Sequence, residues 1–314
     1  MINLRNRTEY CFRKAFGPVP SVIEACSGDS LGIADSGTWG HVAFSKACKA
    51  AGKKPILGVE VSVVEDATDR SKQPANLMCF LARNNSGLEE VYSLVTKSTS
   101  KENFYYFPRL SYSDLFDISE NVIILSGTHP MWGMLPLARK DTLYIELNPM
   151  SSRKAVEFAE AKGFKLVATS DNYYPKVTDK KAYEVLAGMN RTDRTAPMHI
   201  LDDWSWKDAV PWGPQSAIDN TNEIADMCNA SLPVAQMVSF KSEKTLETLC
   251  RDGAKKLGID LEDETYESRL RREIDMIASK GFEDYFFVIA DMIDSRSGFI
   301  SWVAGLLSNR HHRH

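Results

Sequence analysis

The stretch VAFSKACKAAGKKPILGVEVSVV (42–64) decides the fold. Its first half, VAFSKACKAAGKK (42–54), has helical spacing and closes on a glycine. Its second half, KPILGVEVSVV (54–64), is short, rich in β-branched residues and almost continuously apolar. Such a strand is at home in a parallel sheet covered on both faces. The same alternation extends outward. SLGIADS (30–36), NLMCFLARN (76–84), NVIILSG (121–127), LYIELN (143–148) and KLVATSD (165–171) are predicted strands. GLEEVYSLVTKS (87–98) and SSRKAVEFAEAKG (151–163) are predicted helices. The expectation is an α/β domain with a parallel sheet, either open or closed into a barrel, since periodicity does not separate the two.

Beyond residue 195 the pattern changes. IDNTNEIADMCN (218–229), SEKTLETLCRDGAKKLG (242–258) and TYESRLRREIDMIASKG (265–281) are predicted helices, with no strand among them. DDWSWKDAVPWGP (202–214), carrying three tryptophans and two prolines, is the expected connector, its tryptophans pinning it to the sheet.

Composition narrows the function classes. A hydrophobic fraction of 43% with 25% charged residues suits a globular chain able to bury a core without staples. The net charge of −4 gives no global basic field of the kind that announces nucleic acid. The six cysteines are scattered, with no CxxC pair, which argues against a zinc ribbon or a secreted disulfide framework. Reduced thiols and the lack of a run of about 18 apolar residues point to a cytoplasmic, membrane-free protein.

Chemistry in such folds gathers at the carboxyl ends of the strands. Asp35 after GIA, Glu60 in LGVE and Asp171 after ATS stand at such ends. Converging carboxylates form the hard-ligand half of a metal site. The imidazole half is missing, because LRNRTEYCF (4–12) carries Arg5 and Arg7 and no histidine lies between His41 and His129. The competing reading is a structural salt-bridge cluster of Arg5, Arg7, Asp35, Glu60 and Asp171, in which guanidinium forks neutralise the acids. His129 in SGTHP is a weak candidate ligand or base, and His41 is expected to begin a helix.

With these residues in view, the order of landmarks resembles the PHP region at the N-terminus of bacterial DNA polymerase III α subunits, the C-family replicative polymerases. The pieces are RNRTEYC (5–11), IADSG (33–37), KAAGKKPILGVE (49–60), YYFPR (105–109), ILSG (124–127), ATSDNYY (168–174) and AYEVL (182–186). NTNEIADMCNASLP (220–233) and YESRLRREIDMIASKGFEDYFFVIADMI (266–293) look like the segment leading to the polymerase palm. TEYCFRKAFGP and TWGHVAF are similar to phage-borne versions of the subunit.

The resemblance implies a distorted (β/α)7-type barrel over residues 1–195. It also implies a helical extension over 196–293 and a tail at 294–314 without family resemblance, so that the chain stops before the palm. It further implies that family metal-ligand positions are replaced at Arg5, Arg7, Lys14, Ser36, Tyr173 and Tyr183, leaving Asp35, Glu60 and Asp171 as a vestigial site. The expected function is a metal-free scaffold within a replicative polymerase. No cofactor is expected for this chain, Mg²⁺ serving the full-length family. The implied partners are the rest of the polymerase, an ε-type proofreading exonuclease and nearby primed DNA. Two other readings stay open. One is a free-standing metal-dependent phosphoesterase or 3′–5′ exonuclease, distinguished by its metal content. The other is a decoy regulator of host replication proteins, distinguished by co-purification.

Overall fold

The structure is a computed structural model, and it describes residues 1–189, 199–234 and 238–295. The predicted tail therefore lies outside the described residues from 296 on. Internal contacts divide the chain into two units, Met1–Pro233 and Val234–His314.

The first unit is built on eight strands: β1 (Asn3–Asn6), β2 (Ser30–Asp35), β3 (Lys54–Val64), β4 (Asn76–Ala82), β5 (Arg109–Ser111), β6 (Val122–Leu125), β7 (Leu143–Leu147) and β8 (Lys165–Ala168). Seven run in the order β1-β2-β3-β4-β6-β7-β8, and β5 pairs with the far end of β3. All pairings are parallel except those of β4, which runs against both β3 and β6. A purely parallel sheet was expected; the apolar run of β4 carries no directional signal, and antiparallel neighbours need no helical crossover.

Among the described residues seven α-helices complete this unit: α1 (Val19–Ala25), α2 (His41–Ala50), α3 (Asn85–Thr99), α4 (Lys154–Lys162), α5 (Lys180–Met189), α6 (Asp203–Ala209) and α7 (Gln215–Met227). α1 went unpredicted because it is only about two turns long and opens on Pro18 and Pro20. The expected connector is itself partly helical, since Asp202 caps α6 by accepting from the Ser205 amide at 2.8 Å. Of its tryptophans, Trp206 is fully buried and donates its indole N–H to Thr169 O at 3.1 Å, whereas Trp204 is exposed.

Two apolar clusters sandwich the sheet. The outer one joins α1, α2, α3 and α4 to alternate strand residues such as Leu31, Val59 and Ile145. The inner one holds the opposite parity: Ile56, Leu81, Ile123, Tyr144 and Val167, with Ile2 and Leu4 from β1. Fully burying one such aliphatic side chain contributes about 1.5–3 kcal/mol.

α7 plugs the amino end. Its Ile224 and Ala225 join the inner cluster. Thr221 Oγ1 accepts from Ile2 N at 2.9 Å, Ala225 O from Lys54 Nζ at 2.7 Å, and Leu166 O from Asn220 Nδ2 at 2.8 Å. The sequence changes pattern near residue 195, yet α6 and α7 pack within the first unit, because both bury apolar faces on the sheet.

The sheet curls, but no ladder joins β8 to β1 among the described residues. Side chains span that seam, with Asn3 Nδ2 donating to Leu201 O at 2.9 Å and to Ser170 Oγ at 3.3 Å.

The second unit contains α8 (Leu246–Leu257), α9 (Glu264–Ser279) and α10 (Glu283–Ser295). Thr245 and Asp263 cap α8 and α9, and Gly258 ends α8 in the left-handed region. Arg251 on α8 reaches Glu267 on α9 at 2.7 Å. Among the described residues no helix of the chain is long and apolar enough to cross a membrane.

Candidate functional site

The sequence brings charge to the carboxyl mouth of the sheet by strand parity. Glu60 shares the inner face with Ile56, and Glu146 shares it with Tyr144. β1 would have sent Arg5 and Arg7 the other way, since its inner residues are Ile2 and Leu4. A bulge corrects this: Asn3 pairs with Leu31 but Asn6 with Ile33, so three steps on β1 match two on β2. The extra residue reverses the parity, and the two arginines turn inward.

Both guanidinium groups are buried at the mouth. Arg5 Nη2 donates to Glu60 Oε2 and Arg5 Nη1 to Glu146 Oε1, each at 2.6 Å. Arg7 Nη2 also donates to Glu60 Oε2, and Arg7 Nη1 to Asn172 O at 3.1 Å. Asp171 Oδ1 lies 2.8 Å from Arg7 Nη1 and 3.5 Å from Arg5 Nη2, an ion pair off the line of the N–H bonds. Glu146 is further held by Thr169 Oγ1 at 2.5 Å and Asn148 Nδ2 at 3.3 Å. Asp171 itself adopts a left-handed backbone, φ 47°, which acidic and amide residues tolerate best.

Electrostatics follow from this packing. Burial alone pushes the Glu60 carboxyl up, but Arg7 and Arg5 outweigh it and hold it well below the usual carboxylate range. Burial likewise works against the charge on Arg5, and Glu146, Asp171 and Glu60 more than restore it. Glu60 and the two arginines hold one another in their charged forms, so the cluster is a closed ionic network rather than an acid–base pair.

Asp35 stands apart from the ion pairs. Its Oδ1 accepts from Thr8 N at 2.7 Å and its Oδ2 from Thr8 Oγ1 at 2.6 Å, which fastens the end of β1 to the end of β2. Burial pushes its carboxyl up to about 6, the Thr8 bonds only partly opposing this.

The remaining predicted positions divide. Tyr173 lies over Arg7, its ring centroid 4.0 Å from the guanidinium carbon, and Tyr183 packs against both Tyr173 and Tyr174 at 5.7 and 5.4 Å. The aromatic rings thus lid the cation. Ser36 Oγ accepts from Cys11 Sγ at 3.7 Å, and Lys14 is exposed. His129 is also exposed, its backbone N–H bonded to Asn76 Oδ1 at 3.2 Å, and it takes no part in the network. His41 does begin α2, and its buried Nε2 meets Gly58 O at 3.0 Å.

Glu146 was missed by sequence reasoning. The available signal was one acid in the apolar run LYIELN, on the parity of Tyr144.

Comparison with known proteins agrees with this architecture. The family described as "PHP domain" matches residues 3–164, just over half of the chain, and that described as "Bacterial DNA polymerase III alpha NTPase domain" matches residues 244–298. DNA polymerase III subunit alpha of Aquifex aeolicus is 25% identical over 84% of this chain and 28% of that protein. The Bacillus subtilis subunit is 25% identical over 93% of this chain and 29% of its own length. The Thermus aquaticus subunit is 27% identical over 68% and 21%. The chain thus spans under a third of the length of these relatives. A solved Bifidobacterium adolescentis protein, provisionally described as a metal-dependent phosphoesterase, aligns with a TM-score of 0.31 at 12% identity over 68% of this chain and 96% of that one.

Proposed function

Since the chain belongs to the PHP domain family and is homologous to the N-terminal region of DNA polymerase III α subunits, we propose that it serves as a non-catalytic brace in a replicative polymerase. The observation that carries this reading is the pair of guanidinium groups seated among Glu60, Glu146 and Asp171.

The family implies a metal at this mouth, and the residues present do not fit one. A divalent cation would meet two fixed positive charges at contact distance, and the carboxylate oxygens it needs already accept from Arg5 and Arg7. Among the described residues no three His, Cys, Asp or Glu side chains gather as a metal-binding group. On this reading the mouth carries out no hydrolysis. The arginines supply the cohesion that a metal would give, and the Tyr173–Tyr183 lid keeps water from competing for the ion pairs.

A brace needs a surface for its partner, and the second unit offers one. α9 buries none of its residues. A cavity of about 400 Å³ beside it is lined by Met276, Ile277, Lys280, Phe282, Tyr285 and Phe286. The apolar face then receives the remainder of the polymerase, with an ε-type exonuclease and primed DNA nearby, in the cytoplasm. The degenerate site and phage-like wording belong to the same reading. Its test is elemental analysis of the purified chain after incubation with Mn²⁺ and Zn²⁺, beside a 3′-end trimming assay. The expected result is sub-stoichiometric metal and no trimming. Stoichiometric metal with metal-dependent trimming would refute the brace.

A further inference from the structure

The YYFPR motif (105–109) lies outside the charge cluster and has a construction of its own. Arg109, the first residue of β5, donates Nε to Asn103 O at 3.2 Å and Nη2 to Ala67 O at 2.7 Å and Asp69 O at 3.1 Å. Arg70 reaches in the opposite direction, to Lys101 O at 2.5 Å and to Phe104 O. Gln73 bonds both Asp66 N and Asp66 O, at 3.0 and 2.7 Å. Two loops, 65–75 and 100–108, are thereby stapled side by side.

Between them opens a cavity of about 400 Å³ whose walls include Tyr105, Tyr106, Phe107, Lys72 and Arg109. Tyr105 is the anchored ring, 5.1 Å from the guanidinium of Arg109. Tyr106 is the free one: 83% exposed, at φ 62°, and edge-on to Tyr105 with centroids 4.5 Å apart. Phe107 is exposed beside it. An aromatic held outward in a sparsely populated backbone region is costly to keep for folding alone.

Cations also stand at the cavity. Lys72 and Arg109 line it with no acid, and neither has an ion pair among the described residues. The nearby Asp66 and Asp69 carboxylates bond Thr68 and Ser71 and also feel the charge of Arg109, which leaves Lys72 as the cation without an acid partner. Aromatic faces beside the Lys72 ammonium match a nucleobase with its phosphate. A duplex hides base faces in its stack, and a purely apolar peptide leaves the cations unanswered.

We propose that this cavity binds single-stranded nucleic acid, one base stacking on Tyr106 and Phe107 with its phosphate toward Lys72. The site is independent of the metal question and stands or falls without it.

The test is fluorescence anisotropy of the full chain with a labelled thymidine oligonucleotide of about twelve residues, across a salt series. Tyr106→Gly removes the ring and suits the positive φ, so it leaves folding intact; it is expected to weaken binding about tenfold or more. Lys72→Gln is expected to lower the salt slope by about 0.7. An oligonucleotide bearing 5-iododeoxyuridine should photo-crosslink within residues 104–107. Unchanged affinity in Tyr106→Gly, crosslinks found only elsewhere, or no binding at low salt would each overturn the proposal. So would free dTMP competing as well as the strand, since that describes a mononucleotide pocket.

Discussion

Replacing Arg5 by methionine keeps a long side chain at the mouth and removes one charge. The site is then left with Arg7 facing Glu60, Glu146 and Asp171, three carboxylates to one cation. Breaking a buried pair from one side costs about 3–5 kcal/mol when the partner stays charged. The cluster has one way to limit this, which is to bind a proton. At pH 7, about 2.7 units above an ordinary glutamate pKa, that proton costs about 3.7 kcal/mol. The expected loss at pH 7 is therefore about 3–4 kcal/mol.

The pH dependence separates this from a packing defect. At pH 5 the proton costs only about 1 kcal/mol, so the gap between variant and native protein should narrow by about 2.7 kcal/mol. The sign is fixed by the direction of each shift. In the native chain Glu60 is held low, so its contribution is intact above the ordinary glutamate pKa and is lost only in more acid solution, as pH falls through the depressed value. In the variant a carboxyl is raised, so folding takes up a proton and stability grows as pH falls from 7. Asp35 titrates in both proteins, and Arg5 is not among the charges that shift it, so it cancels. Urea unfolding at the two pH values, followed by tryptophan fluorescence with buried Trp206 as reporter, measures the gap. A loss under about 0.5 kcal/mol at pH 7, or a gap that does not change with pH, refutes the argument.

Asp35→Asn tests the opposite shift. The native carboxyl is raised to about 6 from 3.8, so its stabilising protonated state is full below the lower value and lost as pH rises through the upper one. Relative to native, the variant should gain up to about 3 kcal/mol between pH 4 and pH 7 in the same unfolding assay, and a flat difference would contradict it. Gly32→Ala would put a Cβ 2.0 Å from Leu4 O, forcing β1 off β2; a loss of about 3 kcal/mol or more in the melting curve is expected. Thiol titration of the native chain with Ellman's reagent should stop near one equivalent, from half-buried Cys250. Cys11, Cys26, Cys48, Cys79 and Cys228 are buried and should react only after unfolding.

The apolar strands and the longer helices were legible because their periodicities are strong. β1 was not: NLRN has no apolar pattern, and only the resemblance placed a strand there. The cluster was legible in residue type but not in geometry. Arg5 and Arg7 looked like partners for acids, yet it is the bulge that aims them, and nothing in the sequence writes a bulge. Asp35 was grouped with them by its position at a strand end, and its contacts with Thr8 show how little that position says about direction. Tyr173 and Tyr183 were seen only as missing histidines; that Tyr183 backs Tyr173 over Arg7 depends on where α5 returns to the mouth.

The seam beside β1 bears on how the chain comes to be folded. This strand leaves the ribosome before the other seven, and beyond β2 and Glu60 of β3 its surroundings are fastened from far downstream: Glu146 for Arg5, Leu201 for Asn3 and Thr221 for the neighbouring Ile2, separations of 141, 198 and 219 residues. Loops that long are slow to close, and synthesis delivers their far ends last. The earliest of these eight strands thus receives its last fastenings only when the far end of the unit is made. Until β3 supplies Glu60, Arg5 and Arg7 keep it in water, since a strand carrying two unpaired charges is a poor template for the wrong neighbour.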